Sequence, residues 1–266
     1  MSFYLCSMLS FDVVQIAFLL TIFAGLSTGI GSTIAFFIRH PKTVYLSLAL
    51  GFSAGVMIYV SFGELLPNAV EHIGNVMGSI AFFVGIVVIG IIDIFIPNEV
   101  NPHHFASITK EANAKADPKL MRTGLFTALA IAIHNFPEGL ATFGTALGDI
   151  RLGLLIAIAI AIHNIPEGIS VSMPIFFATN DRKKAFVYSF LSGVAEPVGA
   201  LIGFVVLMPF LTPALLSSML AFVAGIMVYI SVDELLPMAH NYGHGHVVMI
   251  GFVLGMGIMA LSLILL

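Results

Sequence analysis

The chain of 266 residues is 59% hydrophobic and only 9% charged, with a formal net charge of −4 and a mean hydropathy of +1.08. Soluble domains carry about 25% charged residues, so this composition excludes a soluble globular protein and predicts a chain that crosses the membrane several times. The single cysteine, Cys6, excludes an intrachain disulfide framework and a cysteine-based zinc site.

Eight membrane spans are predicted, because each needs about 20 mostly apolar residues. They lie near residues 12–38, 44–66, 76–97, 121–146, 151–177, 184–208, 213–238 and 247–266. Residues 98–119 are polar and charged, which predicts a flexible cytoplasmic loop between spans 3 and 4. We therefore expect residues 1–266 to form one all-α integral membrane domain in the lipid bilayer.

The basic residues predict the orientation of the chain. Nine of the ten lie in or beside the first, third and fifth loops, and only Arg151 lies on the opposite side. The positive-inside rule then places these loops in the cytoplasm and both termini on the external side of the cell (inner) membrane. No Lys or Arg precedes Phe11, so the first apolar run is expected to remain as a membrane helix rather than be cleaved.

Two internal repeats are present. A shift of 170 residues places residues 52–67 on 222–237, and a shift of 29 places residues 134–139 on 163–168. In both pairs the helices are an odd number of spans apart, so they cross the membrane in opposite directions. This pattern predicts inverted repeats, spans 1–3 against 6–8 and span 4 against 5, as in alternating-access transporters.

The shorter repeat carries the phrase His-Asn-x-Pro-Glu-Gly into two apolar spans. An ionisable group at bilayer depth costs roughly 2.5–3.5 kcal/mol on insertion scales, so it normally faces a partner, an ion or water. A lone His–Glu pair could be a structural clamp, but span 6 adds a further carboxylate, and three carboxylates repel one another unless a cation is present. The candidate metal ligands are His134, Asn135, Glu138, His163, Asn164, Glu167 and Glu196.

Imidazole and carboxylate ligands suit Zn²⁺ and the divalent ions Fe²⁺, Mn²⁺, Co²⁺ and Cd²⁺. Pro137 and Pro166 are expected to loosen their helices beside these ligands. Glu64 and Glu234, near the predicted ends of spans 2 and 7, are either carboxylates solvated by headgroup water or cation-attracting mouths of a pathway. Met57 is either a packing residue or a thioether ligand, and Asp93 is interpreted as a helix-end charge.

These residues resemble the ZIP family of divalent metal transporters, and specifically its bacterial zinc-uptake branch with the doubled phrase and residues 192–197 (Ser-Gly-Val-Ala-Glu-Pro). The resemblance implies an eight-helix fold, movement of metal into the cytoplasm and a homodimer. It also implies a binuclear centre. His134, Glu138, His163 and Glu167 would hold the first ion, and the second would be held by Asn135, Asn164, Glu196 and the same bridging Glu138 and Glu167.

Two alternatives use the same ligands. One is an intramembrane metalloenzyme, although the His-Glu-x-x-His string of zincin proteases does not occur in the sequence. The other is a metal exporter or proton antiporter, because composition does not determine the direction of transport. No catalytic cofactor and no nucleic-acid partner are expected; the metal ion is the transported substrate.

Overall fold

The computed structural model describes residues 11–37, 43–95, 118–207, 210 and 212–265, and these residues are almost entirely helical. The helices, numbered here in chain order, are α1 Phe11–Phe37, α2 Thr43–Val60, α3 Leu66–Phe95, α4 Pro118–Gly148, α5 Ile150–Thr179, α6 Arg182–Leu207, α7 Pro213–Ile230, α8 Leu236–Asn241 and α9 Gly245–Leu265.

Six stretches of the described residues are long and apolar enough to cross a membrane. They are Phe11–Ile34, Thr43–Ile94, Ile150–Met173, Arg182–Val206, Pro213–Asn241 and Gly245–Leu265. The predicted all-α membrane class is therefore confirmed. The predicted loop at 98–119 lies outside the described residues, except that its last two positions, Pro118 and Lys119, begin α4.

Polar side chains set the helix boundaries between the apolar runs. Asp149 accepts hydrogen bonds from the backbone N–H of Arg151 at 2.8 Å and of Leu152 at 3.2 Å, and thereby caps α5. Asn180 then ends the same helix in the left-handed conformation, with φ of 52°. The Thr212 hydroxyl caps α7 by accepting from the Leu215 N–H at 3.1 Å.

The second predicted span is longer than expected. Helix α2 passes through a π-helical turn, Ser61–Leu65, and continues as α3 until Gly74, where φ of 81° and ψ of 159° interrupt the helix. The apolar count predicted an end near residue 66, directly before Pro67, which lacks an N–H donor. The π-helical turn accommodates this proline: the Leu66 N–H donates to the Ser61 carbonyl, five residues back.

The repeat mate of this turn has the same geometry. Residues Ser231–Leu235 form a second π-helical turn between α7 and α8, in which the Leu236 N–H donates to the Ser231 carbonyl ahead of Pro237. The two turns are 170 residues apart and contain Glu64 and Glu234, respectively.

The helices pack in two sets. In one set, α1 and α4 each pack against both α5 and α6; in the other, α2 packs against α9 and α3 against α7. The sets meet where α2 contacts α5 and α4 contacts α7. The largest apolar core lies within the second set and extends to α5 through Ile156 and Ile160. The polar phrases of α4 and α5 therefore lie among packed helices rather than on the lipid-facing surface.

Candidate metal centre

All seven predicted ligands are completely buried, with exposed fractions of 0%. Three helices supply them: α4 carries the first phrase, α5 the second, and α6 carries Glu196. Both helices that carry the phrases remain α-helical through Pro137 and Pro166.

The two phrases are hydrogen-bonded to each other through crossed His–Glu pairs. His134 Nε2 lies 3.2 Å from Glu167 Oε2, and His163 Nε2 lies 3.4 Å from Glu138 Oε2. His163 Nδ1 lies 3.1 Å from the Ala159 carbonyl oxygen, which can only accept, so Nδ1 donates to it. Nε2 is then the ring nitrogen that faces the pocket. Each carboxylate therefore lies beside the histidine of the opposite phrase.

The two asparagines have their amide nitrogens occupied by backbone carbonyls. Asn135 Nδ2 donates to the Ser192 carbonyl at 3.2 Å, and Asn164 Nδ2 donates to the Ala24 carbonyl at 3.0 Å. Asn164 Nδ2 also donates to Glu196 Oε1. Because carbonyls and carboxylates only accept, these contacts fix which end of each amide is nitrogen. The amide oxygens are left as the atoms able to bind a cation.

Five buried atoms of the site have no hydrogen-bond partner among the residues that the structure describes. They are His134 Nδ1, Asn135 Oδ1, Glu138 Oε1, Asn164 Oδ1 and Glu196 Oε2. Leaving a buried polar atom unpaired costs about 1–3 kcal/mol, and more when the group is charged. Four of the five atoms are oxygens, and together with the Nε2 atoms of the two histidines they form a donor set that fits a borderline divalent cation such as Zn²⁺.

Within the described ranges, no three His, Cys, Asp or Glu side chains stand together in an arrangement ready to hold a metal ion. In this structure each histidine lies against the glutamate of the other phrase.

Close backbone packing holds Glu196 beside the first phrase. A Cβ atom added at Gly139 would lie 2.0 Å from the Glu196 carbonyl oxygen, so only glycine permits this approach of α4 and α6. The equivalent glycine of the second phrase, Gly168, makes the same kind of contact with α1: its added Cβ would lie 2.1 Å from the Thr28 carbonyl oxygen.

Sequence reasoning missed one polar contact of the site. Ser53 on α2 donates toward Glu167 Oε1 and the His163 carbonyl, both at 3.4 Å, and is itself fully buried. Its repeat mate is Val223, so the two halves differ at this position. Aligning the two repeats and searching for positions that are polar in one repeat and apolar in the other would have identified Ser53.

The outlying candidates have different environments. Met57 and its mate Met227 are fully buried in the main apolar core. Glu64 is half-buried and Glu234 buried, each within a π-helical turn rather than at a helix end. Asp93 lies near the end of α3, as expected, but it is buried and accepts a 3.4 Å hydrogen bond from the Tyr229 hydroxyl.

Residues 96–263, more than half of the chain, match the family model described as ZIP Zinc transporter. The chain belongs to the ZIP family. Among its relatives, the zinc transporter ZupT of Chlorobium phaeovibrioides is 57% identical over 94% of this chain and 97% of that protein. The zinc transporters ZupT of Clostridium perfringens and Oceanobacillus iheyensis are 54% and 55% identical, over 95% and 96% of this chain and 96% and 99% of theirs.

Membership of the ZIP family confirms the resemblance seen in the sequence. This ZIP protein is a multi-pass membrane transporter of divalent metal ions, not an enzyme, so the intramembrane metalloenzyme is not supported. The metal ion is accordingly its substrate rather than a catalytic cofactor.

Proposed function

We propose that this ZIP transporter takes up zinc into the cytoplasm through a binuclear site formed by the two phrases and Glu196. The observation that carries the proposal is the set of five unpaired buried atoms, contributed by His134, Asn135, Glu138, Asn164 and Glu196, among the described residues. Together with the Nε2 atoms of His134 and His163, the four oxygens of this set exceed the four ligands of one structural zinc ion.

The two ions share the central carboxylates. His134, Glu138, His163 and Glu167 hold the first ion, and Asn135, Asn164 and Glu196 hold the second together with the bridging Glu138 and Glu167. The crossed pairs support this sharing. Glu138 Oε2 lies 3.4 Å from His163 Nε2, and Glu167 Oε2 lies 3.2 Å from His134 Nε2. Both carboxylates therefore lie between α4 and α5.

Eight crossings with inverted repeats are part of the same proposal. The 52-residue stretch Thr43–Ile94 would extend about 78 Å as one helix at 1.5 Å per residue, far more than a bilayer core of about 30 Å. Its interruption at Gly74 divides it into two crossings, and α4 adds one more to the remaining five apolar stretches. The matched π-helical turns and the matched contacts of Gly139 and Gly168 support the inverted repeats.

The loops rich in basic residues orient the chain in the membrane, with both termini on the external side. The metal site is alternately open to each side of the membrane. Fe²⁺, Mn²⁺, Co²⁺ and Cd²⁺ are further candidate substrates, since they share the ligand preferences of zinc. We also propose a homodimer, on the family resemblance alone.

Uptake of radiolabelled zinc into proteoliposomes tests the function. The double variant Glu138→Ala, Glu167→Ala removes both bridging carboxylates and should nearly abolish uptake while the protein still inserts. Glu71→Ala is the matched control, because Glu71 is an exposed carboxylate on α3 outside the site. Normal uptake by the double variant would show that the site is misplaced.

The direction of transport needs its own measurement. Cells loaded with zinc and then expressing the chain should retain or gain zinc if it is an importer. Net loss of zinc from loaded cells would identify the exporter and contradict the proposal.

A further inference from the structure

Position 28 on α1 is the structural counterpart of position 196 on α6. The carbonyl of Thr28 abuts Gly168 of the second phrase as the carbonyl of Glu196 abuts Gly139 of the first. One helical turn earlier on each helix, a carbonyl accepts from the asparagine of one phrase: Ala24 O from Asn164 and Ser192 O from Asn135.

The side chains at these two positions leave their helices in matching directions. A Cβ added at Gly193 would lie 2.8 Å from the Cβ of Thr28, and one added at Gly25 would lie 3.4 Å from the Cβ of Glu196. Both residues are fully buried. The two side chains are therefore placed equivalently, each facing a glycine of the other helix.

Only one of the two residues carries a charge into the pocket. Glu196 accepts from Asn164, whereas the Thr28 hydroxyl oxygen has no hydrogen-bond partner in the part of the chain that the structure describes. Glu196 contacts the asparagine of the second phrase, so the pseudo-symmetry of the two halves makes Asn135 the equivalent partner of position 28. Threonine is shorter than glutamate and neutral, so α1 supplies no carboxylate to Asn135. The oxygen of Asn135 is likewise unpaired among the described residues.

This difference has a consequence for the loaded site. Two divalent ions carry four positive charges, and the carboxylates of the proposed ligand set, Glu138, Glu167 and Glu196, supply three negative ones, so this ligand set leaves one positive charge unbalanced. A fourth carboxylate at position 28 would neutralise it. In a buried environment, an unbalanced charge weakens retention of the ions considerably.

We propose that Thr28 determines the position and the release of the second ion, because its neutral side chain withholds a fourth carboxylate from the pocket. Among its ligands, the second ion lies nearer to Asn164 and Glu196 than to Asn135. It is released from a ligand set whose three carboxylates do not fully neutralise the two ions. This inference rests on the proposed binuclear function.

Exchange of the two side chains is the direct test. Zinc bound per chain is measured by equilibrium dialysis of purified protein, and zinc uptake is measured in proteoliposomes. Glu196→Thr should lose one of two bound ions and most uptake. The double variant Thr28→Glu, Glu196→Thr moves the carboxylate to the equivalent place and should regain the second ion.

The single variant Thr28→Glu keeps the inference testable if the exchange does not fold. It should bind zinc about tenfold or more tightly than the wild type and transport it more slowly, since an added negative charge near the ions interacts strongly at low dielectric. Thr28→Gln is the matched control of equal size without the charge, and it should not tighten binding.

The outcomes distinguish a failure of the binuclear function from a failure of the role of position 28. A wild-type protein that binds no zinc, or one ion only, contradicts the binuclear function and this inference with it. A wild type with two ions, together with an exchange variant that stays at one ion, refutes the role of position 28 alone. The same conclusion follows if Thr28→Glu binds zinc no more tightly than Thr28→Gln.

Discussion

Replacing Gly139 with alanine would push apart the helices that carry the first phrase and Glu196. The added Cβ would lie 2.0 Å from the Glu196 carbonyl oxygen, whereas ordinary van der Waals contact begins at 3.4 Å. The two backbones must therefore separate by about 1.4 Å, the difference between these distances. A carbonyl oxygen on a helix backbone cannot rotate away as a flexible side chain can, so the helices themselves must move.

The displacement is large compared with what metal coordination tolerates. Metal–ligand distances vary by only about 0.2 Å in well-formed sites. Overpacking of this kind typically costs about 1–3 kcal/mol of stability, and a misplacement of about 1 Å in an enzyme can cost roughly 10²-fold in rate. We therefore expect Gly139→Ala to insert with reduced stability and to lose about tenfold or more in zinc uptake.

Uptake per inserted transporter in proteoliposomes measures this effect, with thermal unfolding recorded in parallel. Gly257→Ala is the matched control: it makes the same substitution on α9, where an added Cβ meets nothing within 4 Å. The control should transport normally. If Gly139→Ala transports zinc as well as Gly257→Ala, the close approach of α4 and α6 does not position Glu196, and the packing argument is refuted.

Further consequences concern selectivity, topology and protons. Asn135→Ala should change metal preference, measured by competition of Cd²⁺ and Mn²⁺ with zinc, more than it abolishes uptake; complete loss would mean that the amide is indispensable. In a Cys6→Ser background, Lys115→Cys should be protected from impermeant thiol reagents in whole cells and Arg151→Cys should react; the opposite pattern would reverse the orientation. Zinc binding should release protons and weaken from about pH 7.5 to 5.5, a range around the reference histidine pKa of about 6.5, because metal ligands must be deprotonated. Binding heats that are independent of the buffer's ionisation enthalpy would mean that no protons are exchanged.

The helices and the burial of the phrases could be predicted from the sequence because both depend on local properties. Apolar runs of sufficient length define the spans, and ionisable groups inside them must face the protein interior. His134 and Glu138 lie within one predicted apolar span, and both are buried at 0% exposure.

The partners of these groups were not predictable from spacing. His134 pairs with Glu167 and His163 with Glu138, although the i, i+4 pattern places each histidine beside the glutamate of its own phrase. Which carboxylate a histidine meets depends on how α4 and α5 cross, and hence on tertiary packing. Ser53 escaped prediction for the same reason, since it reaches the site from α2.

The second predicted span ends near residue 66, but the helix continues beyond it, which an apolar count does not reveal. Pro67 follows a π-helical turn that absorbs its missing donor, so the helix continues to Gly74. Glu64 consequently lies within the helix rather than at its end. Recognising that the 170-residue repeat preserves both the acidic residue and the proline would have suggested a shared local structure.

Zinc K-edge X-ray absorption spectroscopy on purified, zinc-loaded protein tests the proposed centre most directly. The ligand set of imidazoles, amides and carboxylates predicts only nitrogen and oxygen neighbours at about 2.0–2.2 Å. Two ions bridged by Glu138 and Glu167 predict zinc–zinc scattering at about 3.5–4 Å. A sulfur shell near 2.3 Å, or the absence of zinc–zinc scattering at full occupancy, would contradict a binuclear site built from these residues.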